Sequence, residues 1–158
     1  MNTFLHSSAN ERWNRGSAEL LLHPLESYTL QTAVRCRIEG FEDSVVASLD
    51  TGSSHTIIGG EHAEELLETL KGAALCGRLS CRFGEIDVWA CTVKLTLIND
   101  SVHGLDMELE VEARLAPEFP LPLVIGVDGM LDHLRVALDP GVGVDDPARW
   151  YFGPVGGP

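Results

Sequence analysis

One carboxylate in this chain stands out by its surroundings. Asp50 lies in the stretch Ser44 to Ile58, S-V-V-A-S-L-D-T-G-S-S-H-T-I-I. Val45-Val46-Ala47-Ser48-Leu49 leads in, Asp50-Thr51-Gly52-Ser53-Ser54 turns, and Thr56-Ile57-Ile58 leads out. That pattern reads as strand, sharp polar turn, strand, with the acid at the apex. Gly52 permits a tight backbone, and the Ser53 and Ser54 hydroxyls are of the kind that hydrogen-bonds a nearby carboxylate. An acid between apolar strands is costly to bury, so its placement points to a function for the carboxyl, with proton transfer the chemistry it can do.

The other reactive side chains form weaker constellations. Cys76 and Cys81 are separated by four residues, poor spacing for a zinc knuckle, and Cys91 falls on a strand face, so the cysteines read as buried thiols. His62 and Glu65 lack the second histidine of an H-E-x-x-H site, and His103 and His133 stand alone. Gly141-Val142-Gly143 follows Asp139-Pro140 and opens no helix, so it makes no phosphate cradle, and no G-x-S-x-G elbow occurs. No metal and no cofactor are expected.

The elements around Asp50 follow from periodicity. Tyr28, Leu30, Thr32, Val34, Cys36 and Ile38 alternate with Arg35 and Arg37, predicting a strand, and Glu39 to Asp43 turns it into the strand that carries Asp50. Gly59-Gly60 ends the exit strand, and Ala63, Leu66, Leu67 and Leu70 recur at helical spacing with Glu61, Glu64, Glu65 and Glu68 outside. Lys71 and Gly72 suit the helix end. Trp89, Cys91, Val93, Leu95 and Leu97 alternate as a half-buried strand, as do Met107, Leu109, Val111 and Ala113 against Glu108, Glu110 and Glu112. The prolines of Ala116 to Pro120 exclude a central strand. Leu123-Val124-Ile125 is a short buried strand, Asp128 to Leu134 a short helix, and Arg135 to Leu138 the last clear strand. Ala18 to Leu22 fits either a helical turn or a short strand. Trp150-Tyr151-Phe152 is expected to dock on the chain's own domain or on a second subunit.

Asp-Thr-Gly followed by Ser and preceded by an apolar strand resembles the active-site loop of aspartic peptidases. Pro122-Leu123-Val124-Ile125-Gly126-Val127-Asp128-Gly129-Met130-Leu131 is similar to the hydrophobic-hydrophobic-Gly element, with G-x-D and a short helix, near the end of retroviral-type (retropepsin-like) domains. The resemblance covers roughly Leu30 to Asp139 and suits bacterial single-domain members. It implies a mainly β, closed pseudo-barrel acid-protease half-domain with one or two short helices, assembling as a two-fold homodimer. Val124, Ile125 and Gly126 would pack behind the catalytic loop. A flap would fold over substrate with its tip at Arg78, Leu79, Ser80, Cys81, Arg82, Phe83 and Gly84, although pattern alone fits an ordinary hairpin equally well.

Peptide hydrolysis by this chemistry needs two carboxylates about 3 Å apart sharing one proton. The chain has no second D-[ST]-G, so the resemblance implies that Asp50 meets Asp50 of another copy across the axis. Thr51 would bond to the partner loop, the Gly52 N–H would steady the carboxylate, and the Ser53 hydroxyl would bond its outer oxygen. His55 matches no motif position. The alternative is a catalytically silent module of the same fold that dimerises or binds peptide.

Length and composition agree with this. A chain of 158 residues, 44% apolar with 16 glycines and 6% aromatics, suits one β-leaning domain. The expected layout is a mobile arm over 1–24, the domain over 25–140 and a Gly/Pro-rich tail over 141–158. A net charge of −13 argues against nucleic acid or an anionic membrane as partner. No export signal or 20-residue apolar run is visible, so a cytoplasmic location with free core thiols is expected.

Overall fold

The alternating stretches of the sequence become strands, and one added pairing closes them on themselves. The computed structural model describes residues 16–22, 30–70, 74–102, 104–139 and 148–155. The strands are β1 (Gly16–Glu19), β2 (Leu21–Leu22), β3 (Leu30–Gln31), β4 (Ala33–Ile38), β5 (Ser44–Leu49) and β6 (Thr56–Gly59). The helix α1 (Gly60–Thr69) follows, then β7 (Leu75–Cys81), β8 (Gly84–Leu97), β9 (Met107–Ala116) and β10 (Leu123–Ile125). A 3₁₀ turn over Leu131–His133 precedes β11 (Leu134–Asp139) and β12 (Arg149–Pro154).

The main sheet runs β4-β5-β10-β6-β9-β8-β7, and β4 also pairs with β8 through Cys36↔Leu97 to Ile38↔Leu95. That contact shuts the sheet into a closed barrel and leaves β7 outside it, paired only with the first part of β8. Register explains the double use of β8. Its residues Gly84 to Trp89 pair with β7, and Trp89 to Leu97 pair with β9 inside the barrel. A fourteen-residue strand is long enough to be barrel wall at one end and a projecting hairpin at the other.

The interior is filled by the predicted faces. Val34, Cys36 and Ile38 are buried while Arg35 and Arg37 are exposed, and Met107, Val111 and Ala113 point inward between outward glutamates. On α1 only Ala63 is fully buried; Leu66 and Leu67 are half-buried, and Leu70, expected on the inner stripe, lies exposed just past the helix end. The capping residues Lys71 and Gly72 lie outside the described residues, as do Tyr28 and His103.

Two expectations from sequence change here. The helix expected over Asp128 to Leu134 is a single 3₁₀ turn, because Asp128 is bridged to His55 and Gly129 turns at φ +83°, which keeps these residues out of a helix. Nor is Arg135 to Leu138 the last strand. Arg149–Pro154 forms β12, sandwiched between β1 and β11 in a second, three-stranded sheet. Trp150 and Phe152 are fully buried in the main core, and the Trp150 Nε1–H donates to the Ala33 carbonyl at 2.8 Å. The aromatics therefore dock on their own domain, and Gly16–Glu19, expected in the mobile arm, is strand-paired to them. Among the described residues no helix is long and apolar enough to cross a membrane.

Candidate active site

Asp50 stands exposed at the end of β5, where parallel pairing with β10 sets Leu49 beside Ile125. The Asp50 N–H donates to the Ile125 carbonyl at 3.0 Å, and the Ser53 N–H returns to the Asp50 carbonyl at 3.1 Å, closing the turn. The Gly52 N–H donates to Asp50 Oδ1 at 2.8 Å, the bond expected from the sequence. A bond this short fixes the orientation of the carboxyl group.

The second motif locks the loop from behind. Val124 and Ile125 are buried, and the N–H groups of Val127 and Asp128 donate to the carbonyls of Ser53 and Ser54 at 2.9 and 2.8 Å. A Cβ on Gly126 would overlap the His55 carbonyl and carbonyl carbon, so only glycine lets these two segments cross. The two motifs recognised in the sequence thus form one hydrogen-bonded unit.

Three residues behave differently from their expected parts. The Ser53 hydroxyl donates to the His55 carbonyl at 2.7 Å rather than to the Asp50 carboxylate, because the loop turns back within two residues and presents that carbonyl first. His55, which had no assignment, faces Asp128 with Nδ1 3.4 Å from Oδ2, tying the loop to the turn after Gly126. Thr56 was read only as a strand residue. It is fully buried, and its hydroxyl accepts from the Gly126 N–H at 3.3 Å. A threonine at the start of an apolar strand was the available signal.

The hairpin of β7 and β8 turns at Arg82-Phe83 and overhangs Asp50. Between them lies a cleft of about 570 Å³. Asp50, Gly52, Ser53 and Ser54 line it on one side and Leu79, Ser80, Cys81, Arg82 and Phe83 on the other, with Ile57 and Val124 also in its wall. Arg78 and Gly84, placed in the flap tip from sequence, do not line it: Arg78 pairs with Asp87 at 3.0 Å on exposed strand surface, and Gly84 starts the return strand at φ +110°. Phe83 meets Phe119 edge to face with centroids 5.7 Å apart, which holds the hairpin tip to the loop between β9 and β10. Thr51 is exposed and does not line the cleft. Among the described residues Asp50 is the only carboxylate in the lining.

Among the described residues no group of three or more His, Cys, Asp or Glu is placed to hold a metal ion. All four cysteines are free, but only two are core thiols. Burial pushes the Cys36 thiol up to about 12 and the Cys91 thiol up to about 11. Cys76 is exposed and Cys81 half-buried on β7, since this strand lies outside the barrel.

No protein-family model matches the sequence, and no curated protein matches it in sequence. Solved structures do. The crystal structure of a retropepsin-like aspartic protease from Rickettsia conorii superposes with a TM-score of 0.54 at 12% identity, covering 87% of this chain and 98% of that one. The retroviral protease-like domain of Ddi1 from Leishmania major matches with a TM-score of 0.48 at 16% identity, covering 75% of this chain and 93% of that one. With the closed barrel, the Asp50 loop and the Gly126 crossing in place, the fold of this chain is retropepsin-like.

Proposed function

We propose that the protein is an aspartic endopeptidase whose catalytic dyad, Asp50 and Asp50 of a second copy, forms across a homodimer. The observation that carries this reading is the Asp50 carboxylate, held by the Gly52 N–H and facing a cleft roofed by a hairpin, with no other acid among the described lining residues. One chain thus supplies half of the machinery, and a two-fold assembly supplies the rest. In the dyad one carboxylate takes a proton from water while the other, protonated, hydrogen-bonds the scissile carbonyl, and the roles exchange as the amine leaves.

Thr51, exposed at the apex, is the residue available to bond the partner loop. The tip residues Leu79 to Phe83 act as the flap over an extended polypeptide, whose side chains meet apolar walls at Ile57, Leu121 and Val124. Asp50→Asn abolishes hydrolysis of a casein-type substrate and leaves the dimer mass unchanged, read by peptide release and by light scattering. Undiminished hydrolysis by that variant ends the enzymatic reading. The alternative, a silent peptide-binding module, is favoured if a statine-type mimic and peptides bind the assembled protein without any turnover across the acid range.

A further inference from the structure

We propose that Gln31 and Ser48 form a polar subsite beside Asp50 that selects an asparagine or glutamine side chain in the peptide substrate. This rests on the peptidase reading of Asp50 and names what that site prefers. The register of β4 on β5 sets Ala33 opposite Ser48, so Gln31, two residues before Ala33, is the diagonal neighbour of Ser48 on the same face. Asp50, two residues after Ser48, falls on that face too. The Ser48 hydroxyl donates to Gln31 Oε1 at 3.2 Å, and both residues line the cleft together with Asp50. Both are half-buried. They are open enough to meet a ligand, and shielded enough that a hydrogen bond left unmade has a cost.

The cleft wall is apolar at Ile57, Phe119, Leu121 and Val124, and polar but uncharged at Gln31 and Ser48. The bond between these two uses the Ser48 proton and one acceptor site on the Gln31 oxygen. It leaves the two N–H donors of the Gln31 amide and the lone pairs of the Ser48 oxygen for a ligand. Donors beside an acceptor are the complement of a carboxamide, whose carbonyl accepts from Gln31 and whose N–H donates to Ser48. An ammonium group would leave the Gln31 donors unmet. A carboxylate would face the Ser48 lone pairs and the Asp50 charge. An aliphatic side chain would strand both groups once the peptide excludes water. Two residues of extended strand separate Ser48 from Asp50, about 6–7 Å, so the selected side chain lies within about two residues of the scissile bond.

The test uses the full chain and pairs of fluorogenic extended peptides that differ only in Gln or Leu at one position, scanned along both sides of the scissile bond. In the wild type kcat/KM is about tenfold higher for Gln than for Leu at one of these positions. Gln31→Leu and Ser48→Ala each bring that ratio close to one. Gln31→Glu, which exchanges the amide donors for a negative charge, moves the preference to a Lys peptide. Circular dichroism establishes that each variant is folded. If the Gln31–Ser48 bond only holds strands together, both peptides lose rate alike and the ratio is unchanged. That result overturns the subsite while leaving the peptidase reading intact, and so does a wild type without a Gln preference at any position. Hydrolysis of no peptide at all ends the peptidase reading, and the same pairs are then titrated by fluorescence anisotropy. Tighter binding of the Gln peptide that Gln31→Leu removes sustains the subsite, and equal binding overturns it.

Discussion

Asp50 owes its position to three neighbours that do no chemistry themselves. The Gly52 N–H donates to the Asp50 carboxylate, the Ile125 carbonyl accepts from the Asp50 N–H, and Gly126 lets the crossing segment approach. Gly126→Ala forces a methyl into the His55 carbonyl, and we expect a loss of about 1–3 kcal/mol in denaturant unfolding, typical of overpacking at a closed site. The buried thiols add a pH dependence whose sign is set by burial. The folded-state value of Cys36 is raised from 9.0 to about 12, so the unfolded chain loses its proton first. Stability from this group is complete below pH 9.0 and is lost as pH rises toward about 12. Denaturation midpoints measured across that range should fall more steeply for the wild type than for Cys36→Ala. Equal slopes would show that the thiol is not shielded.

At the scale of elements, two pieces serve more than one purpose. β8 is barrel wall from Trp89 onward and hairpin before it, so the hairpin over the cleft is an extension of a core strand rather than a separate loop. That continuity anchors the base of the hairpin, while Phe83 meets Phe119 and Leu79 and Cys81 pack on the cluster around it. β12 is the other such piece. Its Trp150 fills the core and bonds the Ala33 carbonyl, joining the small sheet to the barrel. Trp150→Ala should cost about 3–5 kcal/mol, the range for removing a large buried aromatic, and thermal unfolding would measure it. A near-neutral result would mean that β12 is dispensable to the fold.

For the whole molecule, charge and assembly pull against each other. A chain at −13 must bring like charge together to pair, so dimerisation should tighten as salt screens the repulsion. We expect hydrolysis per chain to fall on dilution at low ionic strength and to recover when salt is added at the same protein concentration. Activity per chain that is constant over a hundredfold dilution at low salt would contradict an association-limited site. The barrel closes through β4 and β8 and leaves Asp50 exposed at the end of β5, where the proposed dyad requires it.

Much of this was legible in the chain because it depends on short-range order. The alternation along β4, β5, β8 and β9, the break at Gly59-Gly60 and the Asp50 apex are local patterns, and local patterns determine strand, turn and face. That Val124-Ile125-Gly126 packs behind the Asp50 loop was implied by the family resemblance, and the close approach of the His55 carbonyl explains why glycine stands at the crossing. What the tertiary structure alone decided involves residues distant in sequence. Ser53 bonds the His55 carbonyl instead of the carboxylate, Thr56 reaches Gly126, His55 meets Asp128, and β12 returns between β1 and β11. Hydrogen-bond choice and strand order depend on which groups arrive nearest in three dimensions, and periodicity along one dimension carries no record of that distance.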